Sequence, residues 1–167
     1  MPGARINTAR RNLLRGRTRA EPAPLRPPYA TNASVIDACT RCGACVAACP
    51  EGIVVRGDGG FPEVDFSRGE CTFCADCARA CPAPVFDLTA LLPWDLLAVI
   101  GEGCLTKQGV VCQSCREACP ERAIAFQIAS GRVPRPFVET ASCTGCGACV
   151  SRCPTDAIAV TGATVDA

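Results

Sequence analysis

The sequence predicts an α+β protein of two tandem lobes, each a short β-hairpin and two short helices packed around cysteine loops, preceded by a basic tail. Three observations carry that expectation. All sixteen cysteines fall into four groups, each ending in Cys-Pro: CTRCGACVAACP from Cys39, CTFCADCARACP from Cys71, CTGCGACVSRCP from Cys143, and a stretched version in which Cys104 stands apart from CQSCREACP at Cys112. Cys42 and Cys74 are 32 residues apart and Cys112 and Cys146 are 34 apart, so the groups pair into two units of similar length. Aromatic residues are few (Trp94, Tyr29 and six phenylalanines), so a large apolar core is not expected.

The spacing C-x2-C-x2-C-x3-C-P matches the bacterial iron–sulfur run. Three thiolates on one tight loop reach three corners of a single cubane. Structural zinc instead draws two cysteines from one knuckle and two from a distant element, and a disulfide framework belongs to short secreted chains. The fourth cysteine of each group lies four residues on, at the start of a helical turn, where it reaches past its own loop. In two-cluster ferredoxins that fourth cysteine ligates the other cluster. The expected cofactors are therefore four [4Fe–4S] clusters, and each lobe is expected to be a bacterial-type two-cluster ferredoxin unit.

Taken in order, residues 1–30 read as a basic Arg/Pro-rich tail. Its first 26 residues carry seven arginines against Glu21, a net of +6, while the remainder of the chain is net −5. Residues 6–15 are consistent with a short arginine-studded helix and 22–28 with extended chain. The tail reads either as a solvated segment or as a docking arm, with Arg10, Arg11, Arg15 and Arg17 as candidate partner contacts. Nucleic acid is disfavoured because no aromatic stacking pattern accompanies the arginines.

Residues 31–90 form the first expected lobe, with strands near Ile53–Val55 and Phe61–Phe66 flanking the turn residues Arg56-Gly-Asp-Gly-Gly60. Residues 91–103 are expected to be a linker helix opened by Pro93 and stopped by Gly101, with Trp94, Leu97, Ala98 and Ile100 along one face. Trp94 reads as a packing anchor between lobes. Residues 104–167 form the second lobe, with a hairpin of Ala123–Ile128 and Arg135–Glu139 around Ser130-Gly131 and a closing strand at Ala157–Val160.

Crossed ligation is expected within each lobe. Cluster 1 takes Cys39, Cys42, Cys45 and Cys81; cluster 2 takes Cys71, Cys74, Cys77 and Cys49. Cluster 3 takes Cys104, Cys112, Cys115 and Cys153; cluster 4 takes Cys143, Cys146, Cys149 and Cys119. The residues also admit each group closing on a cluster of its own. The long gap after Cys104 is expected to give cluster 3 a looser loop, carrying Lys107 and Gln108.

The chain contains no histidine, which removes Rieske-type ligation and the commonest general base. No acid–base pair or activated nucleophile stands out, so an enzyme is not expected. No apolar run is long enough to span a membrane. Arg10-Arg11 mimics an export motif, but polar, proline-broken sequence follows where a signal peptide needs an apolar stretch. Cysteine usage and the missing apolar stretch point to the cytoplasm.

The leader Arg10-Arg11…Leu14-Arg15-Gly16-Arg17, the stretches Arg26-Pro-Pro-Tyr29, Arg56-Gly-Asp-Gly-Gly60-Phe-Pro-Glu-Val64 and Pro93-Trp94-Asp-Leu96, and the gap from Cys104-Leu105 to Cys112 together resemble the NapF family of ferredoxin-type accessory proteins. Tyr29 stands where that family often has tryptophan. The resemblance implies four [4Fe–4S] clusters in a cytoplasmic protein that acts on the precursor of the periplasmic nitrate reductase catalytic subunit, inserting or reducing its iron–sulfur centre before export. The rival expectations are a soluble electron-transfer ferredoxin and an electron-transfer subunit of a larger oxidoreductase.

Overall fold

Short strands pair at the ends of each lobe, and short helices carry the ligand loops between them. The computed structural model describes residues 23–128 and 133–162. The element order is α1 (Asn32–Ala38), α2 (Ala44–Ala47), β1 (Val54–Arg56), β2 (Pro62–Val64), α3 (Asp76–Arg79), β3 (Leu96–Ile100), α4 (Ser114–Ala118), β4 (Ile124–Gln127), β5 (Arg135–Val138), α5 (Ala148–Ser151) and β6 (Ile158–Gly162), with a single 3-10 turn at Asp58–Gly60.

In the first lobe β1 and β2 form the hairpin read from the sequence, paired Val54↔Val64 and Arg56↔Pro62 around the glycine-rich turn. The second lobe repeats it as β4 and β5, paired Ile124↔Val138 and Gln127↔Arg135. The Ser130-Gly131 turn between them lies outside the described residues. Each lobe is then closed by a strand from its beginning meeting one from its end: a single antiparallel bridge, Ala30↔Phe86, in the first lobe, and the longer β3–β6 pair in the second.

That pairing corrects two expectations. Residues 91–103 are not a linker helix; Leu96–Ile100 is the opening strand of the second lobe. Leu96, Ala98 and Ile100 turn inward, Leu96 onto the first lobe's core and Ala98 and Ile100 into the second's, while Val99 is exposed. That is a period of two. Five residues, two of them β-branched, bury more as one edge of a ladder than as a single isolated helical turn. The tail boundary at residue 30 is also wrong. Leu25 packs on the first lobe's core, its carbonyl accepts from the Val64 amide (2.8 Å), and Pro27 is fully buried. The Tyr29 amide donates to the Pro93 carbonyl and Tyr29's own carbonyl accepts from Asp87, so residues 25–30 belong to the first lobe. The expected helix at 6–15 lies outside the described residues.

The apolar cores are small and include four of the cysteines. One gathers Ile53, Val54, Val64 and Phe66 with Cys45 and Cys77, and it also takes Val160 from the second lobe. The other gathers Ala98, Ile124 and Ile158 with Cys115 and Cys149. Trp94 bridges the lobes as an anchor: it stands edge-on to Phe66 (5.9 Å) and Phe73 (5.3 Å), and its Nε1 donates to the Thr144 carbonyl at 2.9 Å.

Candidate iron–sulfur centres

The ligand loops owe their shape to left-handed backbone at repeated positions. Arg41 (φ 60°) and Gly43 (φ 83°) flank Cys42, Phe73 (55°) and Ala75 (61°) flank Cys74, and Gly145 (68°) and Gly147 (82°) flank Cys146. Each pair curls the loop and starts the next short helix, which carries the third cysteine inward: Cys45, Cys77 and Cys149 are all buried. Left-handed backbone at Arg41, Phe73 and Ala75 is unfavourable for side-chain-bearing residues, about 1 kcal/mol or more each, and strain of this kind collects at functional sites. The curl also aims amides at sulfur. Arg41 N–H donates to Cys39 Sγ (3.3 Å) and Phe73 N–H to Cys71 Sγ (3.4 Å). On the far side of the loops, Ala123 and Ala157 donate to Cys119 and Cys153 Sγ, both at 3.3 Å.

The third loop is built differently. Gln113 has φ −131° and precedes α4, with no left-handed backbone flanking Cys112; instead a compact turn over residues 104–109 brings Cys104 to the site. The turn is not loose, contrary to expectation. Thr106 is 4% exposed with its hydroxyl 3.1 Å from Cys104 Sγ, and Lys107 Nζ donates to the Ile100 carbonyl and pairs with Glu102, both at 2.9 Å. Thr155 ties the loop to the end of the chain by donating to the Gly103 carbonyl (3.0 Å).

Four cavities result, each walled by four cysteines. The first is lined by Cys39, Cys42, Cys45 and Cys81; the second by Cys71, Cys74, Cys77 and Cys49. The third is lined by Cys104, Cys112, Cys115 and Cys153; the fourth by Cys143, Cys146, Cys149 and Cys119. Every cavity thus takes three cysteines from one group and one from its pair. Among the described residues no three Cys, Asp or Glu side chains converge closely enough to hold a single metal ion. Soft sulfur donors spread around an apolar cavity fit a cubane.

The electrostatics of the thiols follow from this packing. Burial pushes Cys77 and Cys149 up to about 12, and Cys71 and Cys115 up to about 11. Cys45 and Cys146 are raised for the same first reason. The neighbouring charges that add to the effect include the crossing cysteine: Cys81 on Cys45, Cys49 on Cys77, Cys119 on Cys149. Cys104 goes the other way: burial still pushes it up, but the Thr106 hydroxyl, the Thr106 and Lys107 amides and the Lys107 charge outweigh it. Cys42 is lowered first by the Ala44 amide, then by Thr40 and others, with the Arg56 charge a smaller contribution. Metal loading must displace a proton from every buried thiol.

The first centre also sits under an arginine cage that the sequence reading missed. Arg56 donates from Nη1 to the Arg41 carbonyl and from Nη2 to the Cys42 carbonyl, both at 3.1 Å. Arg41 lies 5.2 Å and Arg26 5.9 Å from the Phe61 ring centroid, and Arg26 is held by Asn32, the Pro62 carbonyl and Glu63. The only sequence cue was an arginine directly following the first strand. Arg10, Arg11, Arg15 and Arg17 lie outside the described residues.

A family model for 4Fe-4S dicluster domains matches residues 38–85 and 110–157. The ferredoxin-type protein NapF of Haemophilus influenzae is 49% identical over 135 residues, covering 80% of this chain and 77% of the relative. The Escherichia coli K12 protein of the same name is 41% identical over 155 residues, covering 92% and 94%. The chain belongs to the NapF family. It is a ferredoxin-type iron–sulfur protein whose two dicluster domains hold four [4Fe–4S] clusters. A wider likeness reaches the methylamine utilization ferredoxin-type protein MauM of Paracoccus denitrificans, 34% identical across 84% of this chain and 71% of the relative. The second dicluster match starts at residue 110 and so omits Cys104, which the fold nonetheless brings to the third cavity. We propose the crossed sets lining the four cavities as the ligand sets.

Proposed function

We propose that this protein is an iron–sulfur accessory factor acting in the cytoplasm on the precursor of the periplasmic nitrate reductase catalytic subunit, inserting or reducing that subunit's iron–sulfur centre before export. The observation that carries the reading is relatedness to NapF over 92% of the chain, together with four cysteine-walled cavities. Clusters bound there supply one-electron redox chemistry. The chain's own residues fix them, wall them with apolar side chains such as Ile53, Val85 and Ile158, and donate amides to the ligating sulfurs. In this reading the protein acts without catalytic residues of its own, as a handler of electrons or clusters. Its partner contacts are the arginines of residues 10–17 and the arginine-rimmed first centre. Among the described residues no helix is long and apolar enough to cross a membrane.

The test is capture of the cytoplasmic precursor by the full chain and by a truncation lacking residues 1–22, alongside iron analysis of the target from a deletion strain. The reading expects precursor binding that weakens on truncation, and a target short of iron. A fully loaded, active target in the deletion strain would overturn it, and turnover of the mature reductase supported by this protein once reduced would then favour a carrier.

A further inference from the structure

Two ligand loops from different lobes meet at the inter-lobe seam. The Cys71 amide donates across it to the Cys146 carbonyl at 2.8 Å. Each of these backbone groups is joined to its own sulfur through Cα and Cβ, and standard bond lengths keep the two Sγ atoms within about 12 Å. The seam is closely packed. The Phe66 ring lies so near the Gly147 backbone that a Cβ there would fall 1.9 Å from it. Trp94 touches a residue inside each loop: its ring meets Phe73, between Cys71 and Cys74, and its Nε1 is bonded to the carbonyl of Thr144, between Cys143 and Cys146. Val160 of the second lobe joins Val64 and Phe66 of the first in one buried cluster.

We propose that this seam is an electron bridge: Cys71 and Cys146, clamped by Trp94 between Phe73 and Thr144, hold the second and fourth centres side by side. Crossed ligation already couples the first centre to the second and the third to the fourth. The seam therefore makes one row, first–second–fourth–third, in place of two separate pairs. Such a row lets an electron that enters at one lobe leave from the other. One electron crosses per event, one centre being oxidised as its neighbour is reduced, with no bond broken and no proton moved. The inference rests on the ligand sets proposed above and is independent of which partner is served.

The test isolates the two inner centres. A Cys42→Ser, Cys112→Ser double variant removes one ligand from each outer centre and is expected to retain about eight irons. Fully reduced with dithionite, it is expected to show an EPR spectrum broadened by spin–spin interaction between two neighbouring centres. Two sharp, independent signals at that iron content overturn the bridge. Iron well below about eight contradicts the ligand sets instead. The bridge is then decided on the full chain by a Phe66→Ala, Trp94→Ala variant compared with wild type: partial loss of the spin–spin broadening supports it, and an unchanged spectrum overturns it. A purely structural role for the seam changes thermal stability and leaves the magnetic interaction in place.

Discussion

Cys104 and Arg56 show how much individual side chains decide here. Cys104 stands outside the stretch matched by the second dicluster domain, yet it lines the third cavity with Thr106 at its sulfur. Cys104→Ala is expected to cut iron from about sixteen to about twelve per chain, with the other three centres intact by EPR quantitation. Arg56 holds two carbonyls of the first ligand loop and places a cation beside it. A reduced centre carries one more negative charge, so a nearby cation favours reduction. Arg56→Gln is therefore expected to lower the first centre's potential by on the order of tens of millivolts in a redox titration. The sixteen candidate ligands were legible because their spacing is chemistry written into the chain. The arginine cage was not, because Arg56 meets Arg41 only once the hairpin folds back over the loop.

Elements were legible where local chemistry dictates them and obscure where a distant partner does. The hairpins follow from apolar runs around glycine-containing stretches, and both are found within a few residues of expectation. Leu96–Ile100 misled because Leu97, Ala98 and Ile100 also suit a helical face with Trp94; what makes it a strand is β6, some sixty residues on. Helix α1 went unpredicted although a local signal exists: Thr31 accepts from the Ser34 amide while Ser34 accepts from the Thr31 amide. Thr31→Ala is expected to cost about 1 kcal/mol in thermal unfolding of the loaded protein, with iron content unchanged. Gly145 is harsher ground: a Cβ would fall 2.3 Å from the Leu96 carbonyl oxygen, at φ +68°. Gly145→Ala is expected to destabilise by about 1–3 kcal/mol and to loosen the joint between β3 and the fourth centre.

At the scale of the molecule, two small lobes share one seam and, among the described residues, have little apolar core beyond those around the cysteines. Structures this sparse gain their stability from bound metal, and with the crossed ligand sets proposed above each cluster would close two loops at once. Anaerobic iron chelation is accordingly expected to abolish cooperative melting followed by circular dichroism; a spectrum and melting transition unchanged by chelation would contradict it. The duplication was legible from the cysteine spacing alone. Of the seam only Trp94, as an anchor between lobes, was legible; nothing local marks Phe66 as the neighbour of both Trp94 and Gly147. Everything at this scale depends on the four cubanes, and the most direct measurement is joint quantitation of iron and acid-labile sulfide in anaerobically prepared full-length protein. The account predicts about sixteen of each per chain; a well-folded chain carrying only zinc, or iron without sulfide, would contradict it.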